Sequence, residues 1–469
     1  MDKNLQNFKI AEFALGARYE NVGESNIDQL KRHLLDAIGS MVYASTRAPI
    51  KKLLNQLNIL AEGGACETLA GKLPYDRAAQ LYTALVRYPD FMDNYMGKEA
   101  TCHPSDNLGP LLAASHFRDA SGRDLLTAMA VAYQIQCRLV EEIPVMKEGI
   151  DHTLLVCYSM TASAARLFDL TVEQTAHALG IAGCSLAAMV TSRASYTYEW
   201  KGFASSMDAL DCVNVILLAK QGMTGPVAIF EGPKGFGEIF GMKLDYDWQQ
   251  ENFELVHKCV LKRYNAEVHS QATLEALLDL QRSEGFSAAD IEKIEISTFL
   301  TAYHIIGGGA YGDRKSVDTK EQADHSLPYL AAVALLDGEV YPAQFEPGRI
   351  RSRDVQELLQ KVNVGTVSPI HKPVTLAGVL DPYTRAYPDK MKTKVEVHLK
   401  GGSTCACEKE DYEGFFSRPF GWEQTIGKFR RLCDGIVSES WQDEAVEIVQ
   451  NLDKLPASQL TGLLARIGN

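Results

Sequence analysis

A chain of 469 residues, 46% of them hydrophobic, has the material for a sizeable core spread over about two to three domain equivalents. Its net charge of −13 excludes the basic face that a nucleic-acid partner demands, and no apolar run reaches the ~18 residues that cross a bilayer, so no membrane partner is expected. The N-terminal MDKNLQNFKIAEFALG has neither the basic region nor the long apolar core of a secretory signal, which makes the cytoplasm the expected location.

Taken in chain order, Ser25-Asn-Ile-Asp28 has the form of an N-cap with an acidic third position. Leu30, Leu34, Leu35, Ile38, Met41 and Val42 follow at helical spacing, which predicts a helix over 26–44. Residues 51–61 and 76–88 read as further amphipathic helices, with Pro89 as punctuation after the second. The next stretch, DFMDNYMGKEATCHPSDN, crowds Asp90, Asp93, Asn94, Lys98, Glu99, His103 and Asp106 beside long apolar runs. Asp90, Asp93 and Asn94 stand at i, i+3 and i+4, so a helical turn would put their heads on one face, where a carboxylate can take or return a proton. His103 precedes Pro104 and is therefore pushed out of helical geometry onto a turn, where a ring that titrates near neutrality can act in catalysis. A polar loop with a capping Asp and a solvated His accounts for the same residues.

Helices are predicted over 108–116 and 123–142. In GIDHTLLVCYSMTASAARLFDL, His152 falls at the start of a small-residue helix, where unpaired backbone N–H groups attract anions; a plain capping histidine is the alternative. Thr171-x-x-Gln174 forms a capping box for the helix after it. Lys201, between Trp200 and Gly202 at the head of another apolar helix, reads either as an anion clamp or proton donor, or as a lysine snorkelling past a tryptophan. GPKGFG lacks the G-K-[ST] ending of a phosphate loop and reads as a turn. After about residue 258 the texture changes. Period-two alternation predicts strands over 292–299, 361–367 and 392–399, with helices at 270–282, 326–336 and 352–361 between them. KRYNAEVHS sets Lys262, Arg263 and His269 before one of these helices, and ADHSLPY sets Asp324, His325 and Tyr329 at another. Residues 422–467 are helical again. The expected fold is thus mainly α: a large helical domain built from both chain ends, 1–261 and 403–469, with a smaller α+β domain inserted at 262–402. Ten scattered cysteines form no C-x-x-C pair and are expected to be free thiols, and Cys405-Ala-Cys407 has no neighbouring histidine to complete a metal site.

DFMDN followed by KEATCHPSDN, GIDHTLLV, WKG, RYNAEVHSQ, and DHSLPY followed by ALLDG, in this order over nearly the whole chain, resemble the MmgE/PrpD family. That family includes 2-methylcitrate dehydratases, cis-aconitate decarboxylases and iminodisuccinate epimerases. The resemblance implies a helical main domain with an α+β lid, a homodimer, and a site with no metal or organic cofactor. Carried over residue by residue, it implies catalytic roles for Asp90, His103, His152, Lys201, His269 and Tyr329, with Asn94, Lys98, Arg263 and His325 as substrate contacts. Asn94 stands where relatives commonly have threonine, and Pro89 replaces the usual aliphatic residue. The expected ligand is a small anionic polycarboxylate, held by locally clustered cations against a repulsive overall field. Lys201, Arg263 and the helix starts at His152 and His269 would hold carboxylates, His103 or Asp90 would handle protons, and Tyr329 would donate to the reacting centre. Dehydration of 2-methylcitrate is the leading activity, followed by decarboxylation of cis-aconitate, then epimerisation of an amino- or imino-dicarboxylate, and last a non-catalytic helical binding protein.

Overall fold

The computed structural model describes residues 2–60, 63–97, 100–194, 196–368 and 374–468, so Lys98 lies outside the described residues. The fold is mainly α and divides into two compact units. The first contains the chain up to Val190, Gly202–Leu261 and everything from Phe420; the second contains Thr191–Lys201 and Lys262–Pro419.

In the first unit the long helices follow from their caps and apolar faces. Helix Glu24–Ser45 begins at Gly23, whose φ of 87° suits glycine and breaks the chain away from the short helix Tyr19–Val22; the expected cap at Ser25 instead falls inside the first turn. Helices Gly122–Glu142 and Val172–Ser185 both start from complete capping boxes, Ser121 with Asp124 and Thr171 with Gln174. Helix Thr153–Leu167 is buried along almost its whole length, and its serines, threonine and alanines let Gly122–Glu142, Val172–Ser185 and Ala204–Lys220 pack closely around it. Helices Tyr75–Arg87 and Leu108–Phe117 cross at Gly109, where a Cβ would come within 2.1 Å of Thr83 Oγ1 and 2.3 Å of the Ala79 carbonyl oxygen. Only glycine permits that approach. The C-terminal helices Trp422–Cys433, Glu439–Gln450 and Ala457–Leu464 complete the same core through Phe429, Trp441, Ile448 and Leu460.

The expected helical turn over Asp90, Asp93 and Asn94 does not form. Helix Tyr75–Arg87 stops because Pro89 has no N–H to continue its hydrogen bonds; Tyr88 keeps helical dihedrals and its N–H still donates to the Ala84 carbonyl, and the chain leaves the helix beyond it. Asp90 adopts a left-handed φ of 55°, and Asn94 enters an antiparallel bridge with Val260, its N–H donating at 3.0 Å and its carbonyl accepting at 2.8 Å. Strand Tyr95–Met96 then pairs with Thr101–Cys102, and His103, in extended geometry, caps the single turn Pro104–Asn107.

The second unit is built on a four-stranded sheet in the order Val362–Thr366, Ile291–Thr298, Thr393–Leu399, Thr404–Lys409; the first pair is parallel and the others antiparallel. Ile294, Ile296, Val395 and Val397 are buried at alternate positions, as period two requires. Helices Gln271–Glu284 and Leu327–Asp337 pack on the sheet and on each other. Strand Thr404–Lys409 was not expected. It pairs along Thr393–Leu399 and carries the unit past the predicted edge at 402 to Pro419. Among the described residues no helix is long and apolar enough to cross a membrane.

Candidate functional site

Two groups of buried polar residues stand out, one in each unit. In the first unit the loop after helix Tyr75–Arg87 is held from several sides. Asp93, 1% exposed, places Oδ2 at 2.8 Å from His33 Nδ1 and accepts at 2.6 Å from the Tyr133 hydroxyl, while Oδ1 accepts from Ser105 N–H at 3.1 Å. Burial alone would raise the pKa of this carboxyl, but the hydrogen bonds and charge of His33, with those of Tyr133 and Ser105, overcome it and hold the value below the usual range. Asp90 accepts from Arg87 Nη1 at 3.0 Å, and the same guanidinium lies 3.8 Å from Asp106, whose Oδ2 accepts from Ser205 at 2.7 Å. Lys428, from helix Trp422–Cys433, reaches Asp36 at 2.8 Å and donates to the Phe91 carbonyl at 2.6 Å, its ammonium 3.9 Å from the Phe91 ring centre.

On this braced loop sits His103. Its Nδ1 lies 3.1 Å from the Asp93 carbonyl oxygen, which can only accept, and 2.9 Å from the Asn94 amide. The carbonyl therefore favours Nδ1–H, an amide flip lets Asn94 accept as well, and Nε2 becomes the basic nitrogen. The His152 ring meets that of His103 edge-on at 5.5 Å and stands before helix Thr153–Leu167, as its sequence position implied. Asp151 lies 3.7 Å from His152 Nε2 and caps the helix through Thr153 N–H at 3.1 Å. Asp90, Asn94, His103 and His152 thus belong to one unit, and the structure joins Asn94, His103 and His152 directly.

In the second unit Lys201 lies on the single turn Glu199–Gly202. It is 6% exposed while Trp200 beside it is 54% exposed, so the aromatic ring turns to solvent and the ammonium inward. Lys201 Nζ lies 3.5 Å from His325 Nδ1, which lies 2.5 Å from Asp324 Oδ1; Lys320 Nζ reaches Asp324 Oδ2 at 2.7 Å. An ammonium only donates and a carboxylate only accepts, so the much closer Asp324 fixes the hydrogen on Nδ1 and leaves Nε2 as the accepting nitrogen. Burial works to raise the Asp324 pKa, and the charges of Lys320, His325 and Lys201 reverse it to well below the carboxylate range. Earlier in the chain, Glu267 fixes His269 by the same device: Nδ1 at 2.7 Å, and the His269 N–H donating at 2.8 Å. Against burial, His269, His325 and Lys262 keep the Glu267 pKa low. The other face of His269 meets the Tyr387 hydroxyl, 3.0 Å from Nε2, with Tyr387 stacked on Phe299.

Two of the expected site residues are engaged elsewhere in their unit. Tyr329 donates its hydroxyl to the Gln344 carbonyl and packs beside Phe345 in the core of its unit, and burial raises its pKa above the ordinary phenol value. Arg263 is held by Glu275 at 3.3 Å and Glu413 at 2.5 Å. Neither joins the Lys201–His325 group, because each is satisfied elsewhere. The bracing residues Arg87, His33, Tyr133 and Lys428, and Tyr387, escaped the sequence reading. Their signal was a polar or aromatic side chain inside an apolar helical face, or, for Tyr387, no periodic signal at all. Cys405 and Cys407 point to one side of strand Thr404–Lys409, partly exposed and free.

Residues 8–249 match the MmgE/PrpD N-terminal domain and residues 264–454 the MmgE/PrpD C-terminal domain. The 2-methylcitrate dehydratase of Escherichia coli (strain K12) is 30% identical over 389 residues, covering 78% of each chain. That of Salmonella typhimurium is 29% identical over 439 residues, 89% of this chain and 85% of its own. The cis-aconitate decarboxylase of Mus musculus is 23% identical over 474 residues, 96% of this chain and 91% of its own.

Proposed function

The chain belongs to the MmgE/PrpD family, and from that premise we propose that it is a lyase removing water from 2-methylcitrate or a closely related hydroxy-tricarboxylate. The observation that carries this reading is the near full-length similarity to 2-methylcitrate dehydratases, together with the fixed imidazoles of His103, His269 and His325.

Dehydration breaks a C–H bond beside a carboxylate and the C–O bond of the neighbouring carbon. The C–H electron pair becomes the alkene, and the hydroxyl leaves as water once it receives a proton. His103, with Nδ1–H held by the Asp93 carbonyl, presents Nε2 as the base, and His152 beside it is placed to return a proton to the leaving hydroxyl. Charge that develops on a substrate carboxylate needs a donor set in advance; in the second unit the buried Lys201 ammonium is the group available for that, while Asp324 and Glu267 fix the tautomers of His325 and His269. Asp90 stays with Arg87 and keeps the loop in place. In this reading acid–base groups of the protein suffice, and turnover unchanged after exhaustive dialysis against EDTA is the expected result.

The test is incubation with 2-methylcitrate, citrate and cis-aconitate, following the absorbance of the conjugated alkene and released CO2. Alkene gain supports dehydration. Gas from cis-aconitate supports the second reading, decarboxylation, which is favoured by the coverage of the Mus musculus relative; silence on all three acids sinks both.

A further inference from the structure

Beside the His269 ring stands a tyrosine that the acid–base roles of dehydration do not use. Three segments far apart in sequence meet there. Glu267 commits both oxygens to His269, one to its N–H at 2.8 Å and one to Nδ1 at 2.7 Å. The Tyr387 hydroxyl lies 3.0 Å from Nε2. Phe299 stacks on Tyr387 with ring centres 4.7 Å apart and meets His269 edge-on at 5.5 Å. Tyr387 follows the short helix Pro382–Ala386, which Asp381 caps through the N–H groups of Tyr383 at 3.0 Å and Thr384 at 2.8 Å. The Thr384 hydroxyl in turn accepts from Leu300 N–H at 2.9 Å, next to Phe299. The phenol is therefore set by its own backbone and by Phe299, and not only by the hydrogen bond it shares with His269.

Because Glu267 holds the hydrogen on Nδ1, Nε2 of the neutral ring accepts and the Tyr387 O–H donates to it. Both nitrogens of His269, which is 2% exposed, are thus committed, and the group this series presents to a ligand is the phenol. Buried cations surround its acidic end. Glu267 N–H donates to the Asp324 carbonyl at 3.0 Å, so the series lies against the Asp324–His325 pair, in the same unit as Lys201. The charges of His325 and Lys262 act on Glu267, and those of Lys320 and Lys201 on Asp324; Arg314 and the Tyr412 phenol also feel the charge of Glu267. An anion at the phenol changes the best arrangement of hydrogens. A carboxylate takes the O–H in a charge-assisted bond, stronger than one to a neutral ring. Nε2 is then satisfied by binding a proton, and the imidazolium so formed has Glu267 on Nδ1 and the phenol oxygen on Nε2.

We infer that Tyr387 is a carboxylate-binding residue, and that it binds by reversing the hydrogen bonds of this series: its O–H turns from His269 to the ligand as Nε2 takes one proton from solvent. In the resting protein the hydrogen points from Tyr387 to His269. With the acid bound, His269 donates to Tyr387 and Tyr387 to the acid, while Nδ1–H stays on Glu267 throughout. One Nε2–H bond forms, and no other covalent bond changes. Tyr387 thus supplies the phenolic donor expected of Tyr329, and His269 acts through it as a positioning residue. The inference rests on the polycarboxylate reading for the class of ligand, not on which reaction follows.

The test is calorimetric binding of propane-1,2,3-tricarboxylate, which has no hydroxyl to lose, to the full chain in buffers of different ionisation enthalpy, which counts the protons taken up. It is run at about pH 8, where an ordinary imidazole is mostly neutral. His103, His152 and His325 can also take up protons, so the count is compared between proteins. Wild type is expected to take up about one proton more per bound acid than either Tyr387→Phe or His269→Gln. Tyr387→Phe is also expected to bind the acid about 10-fold more weakly, the loss of one hydrogen bond to a charged group. Equal proton counts in wild type and both variants overturn the proposal, and so does a loss of the proton in one variant only. Wild-type protein that does not bind the acid overturns it together with the polycarboxylate reading. Should His269→Gln not fold, Tyr387→Phe decides alone: full wild-type uptake overturns the proposal and a reduced uptake supports it. If uptake depends on Tyr387 but 2-methylcitrate, citrate and cis-aconitate are not turned over, the lyase reading falls while the carboxylate contact stands.

Discussion

Replacing Lys428 with Met tests the bracing of the loop after helix Tyr75–Arg87 most directly. The lysine ammonium is the buried counter-charge of Asp36, at 2.8 Å, and it also holds the Phe91 carbonyl at 2.6 Å, one residue from Asp90. Methionine fills a similar volume but leaves Asp36 buried without its cation, a change that costs about 3–5 kcal/mol. Exchanging both partners, Lys428→Met with Asp36→Leu, removes the stranded charge and should recover most of that loss. Burial already raises the Asp36 pKa, with Lys428 opposing it, so removal of the lysine raises it further. A folded-state pKa above the unfolded one contributes stability that is present below the unfolded pKa, about 3.9, and lost as pH rises through the folded value. The deficit of Lys428→Met relative to wild type should therefore be small near pH 4 and grow toward neutrality. Urea denaturation of wild type, single and double variants at pH 4.5 and 7.5 measures this, with turnover as a second readout, because the double variant still lacks the donor to Phe91 and should remain slow. A single variant within about 1 kcal/mol of wild type at pH 7.5, or a double variant no more stable than the single, would refute the reasoning.

His103→Ala should lower kcat by about 10²–10⁴-fold with the circular dichroism spectrum unchanged, and unaltered turnover would remove it from the mechanism. Asp93→Asn should cost about 3 kcal/mol at neutral pH, because a buried carboxylate that satisfies His33, Tyr133 and Ser105 becomes a poorer acceptor. Its depressed pKa means that the wild-type contribution is present above the unfolded value and lost as pH falls through the folded one; the variant should show a flatter acid limb in thermal melts taken from pH 6 downward. Glu267→Gln removes the anion that fixes the His269 tautomer and should lower kcat about 10- to 100-fold with a smaller change in KM, read by steady-state kinetics.

Where the sequence carried a local physical cause, it was readable. The capping box at Thr171, the prolines at 89 and 104 and the period-two runs around 292–299 and 392–399 each dictate geometry within a few residues, and elements form there. Strand Thr404–Lys409 was missed because TCACEK has no large apolar residue; pairing to Thr393–Leu399 supplies what its side chains do not. The turn at Asp90 shows the opposite error, since i, i+3, i+4 spacing was credited where Pro89 had already ended the helix. Among the candidate residues, His103 and His152 in the first unit and Lys201 and His325 in the second carried a sequence signal, histidines and a lysine next to helix starts. Lys428 and His33 did not, because a polar residue on an apolar face reveals its partner only after helices distant in sequence have packed. Tyr329 and Arg263 looked equally chemical in sequence, and only the acceptors around them, Gln344, Glu275 and Glu413, show how each is committed.

The assignment of Thr191–Lys201 to the second unit has an engineering consequence. The backbone passes from one unit to the other four times, at 190/191, 201/202, 261/262 and 419/420, so the smaller unit is threaded rather than appended. A fragment cut from Lys262 to Pro419 would leave behind the segment that carries Lys201 and would lose the Thr197 tie to Glu321. Chimeras between relatives that exchange this unit would need to take both pieces together.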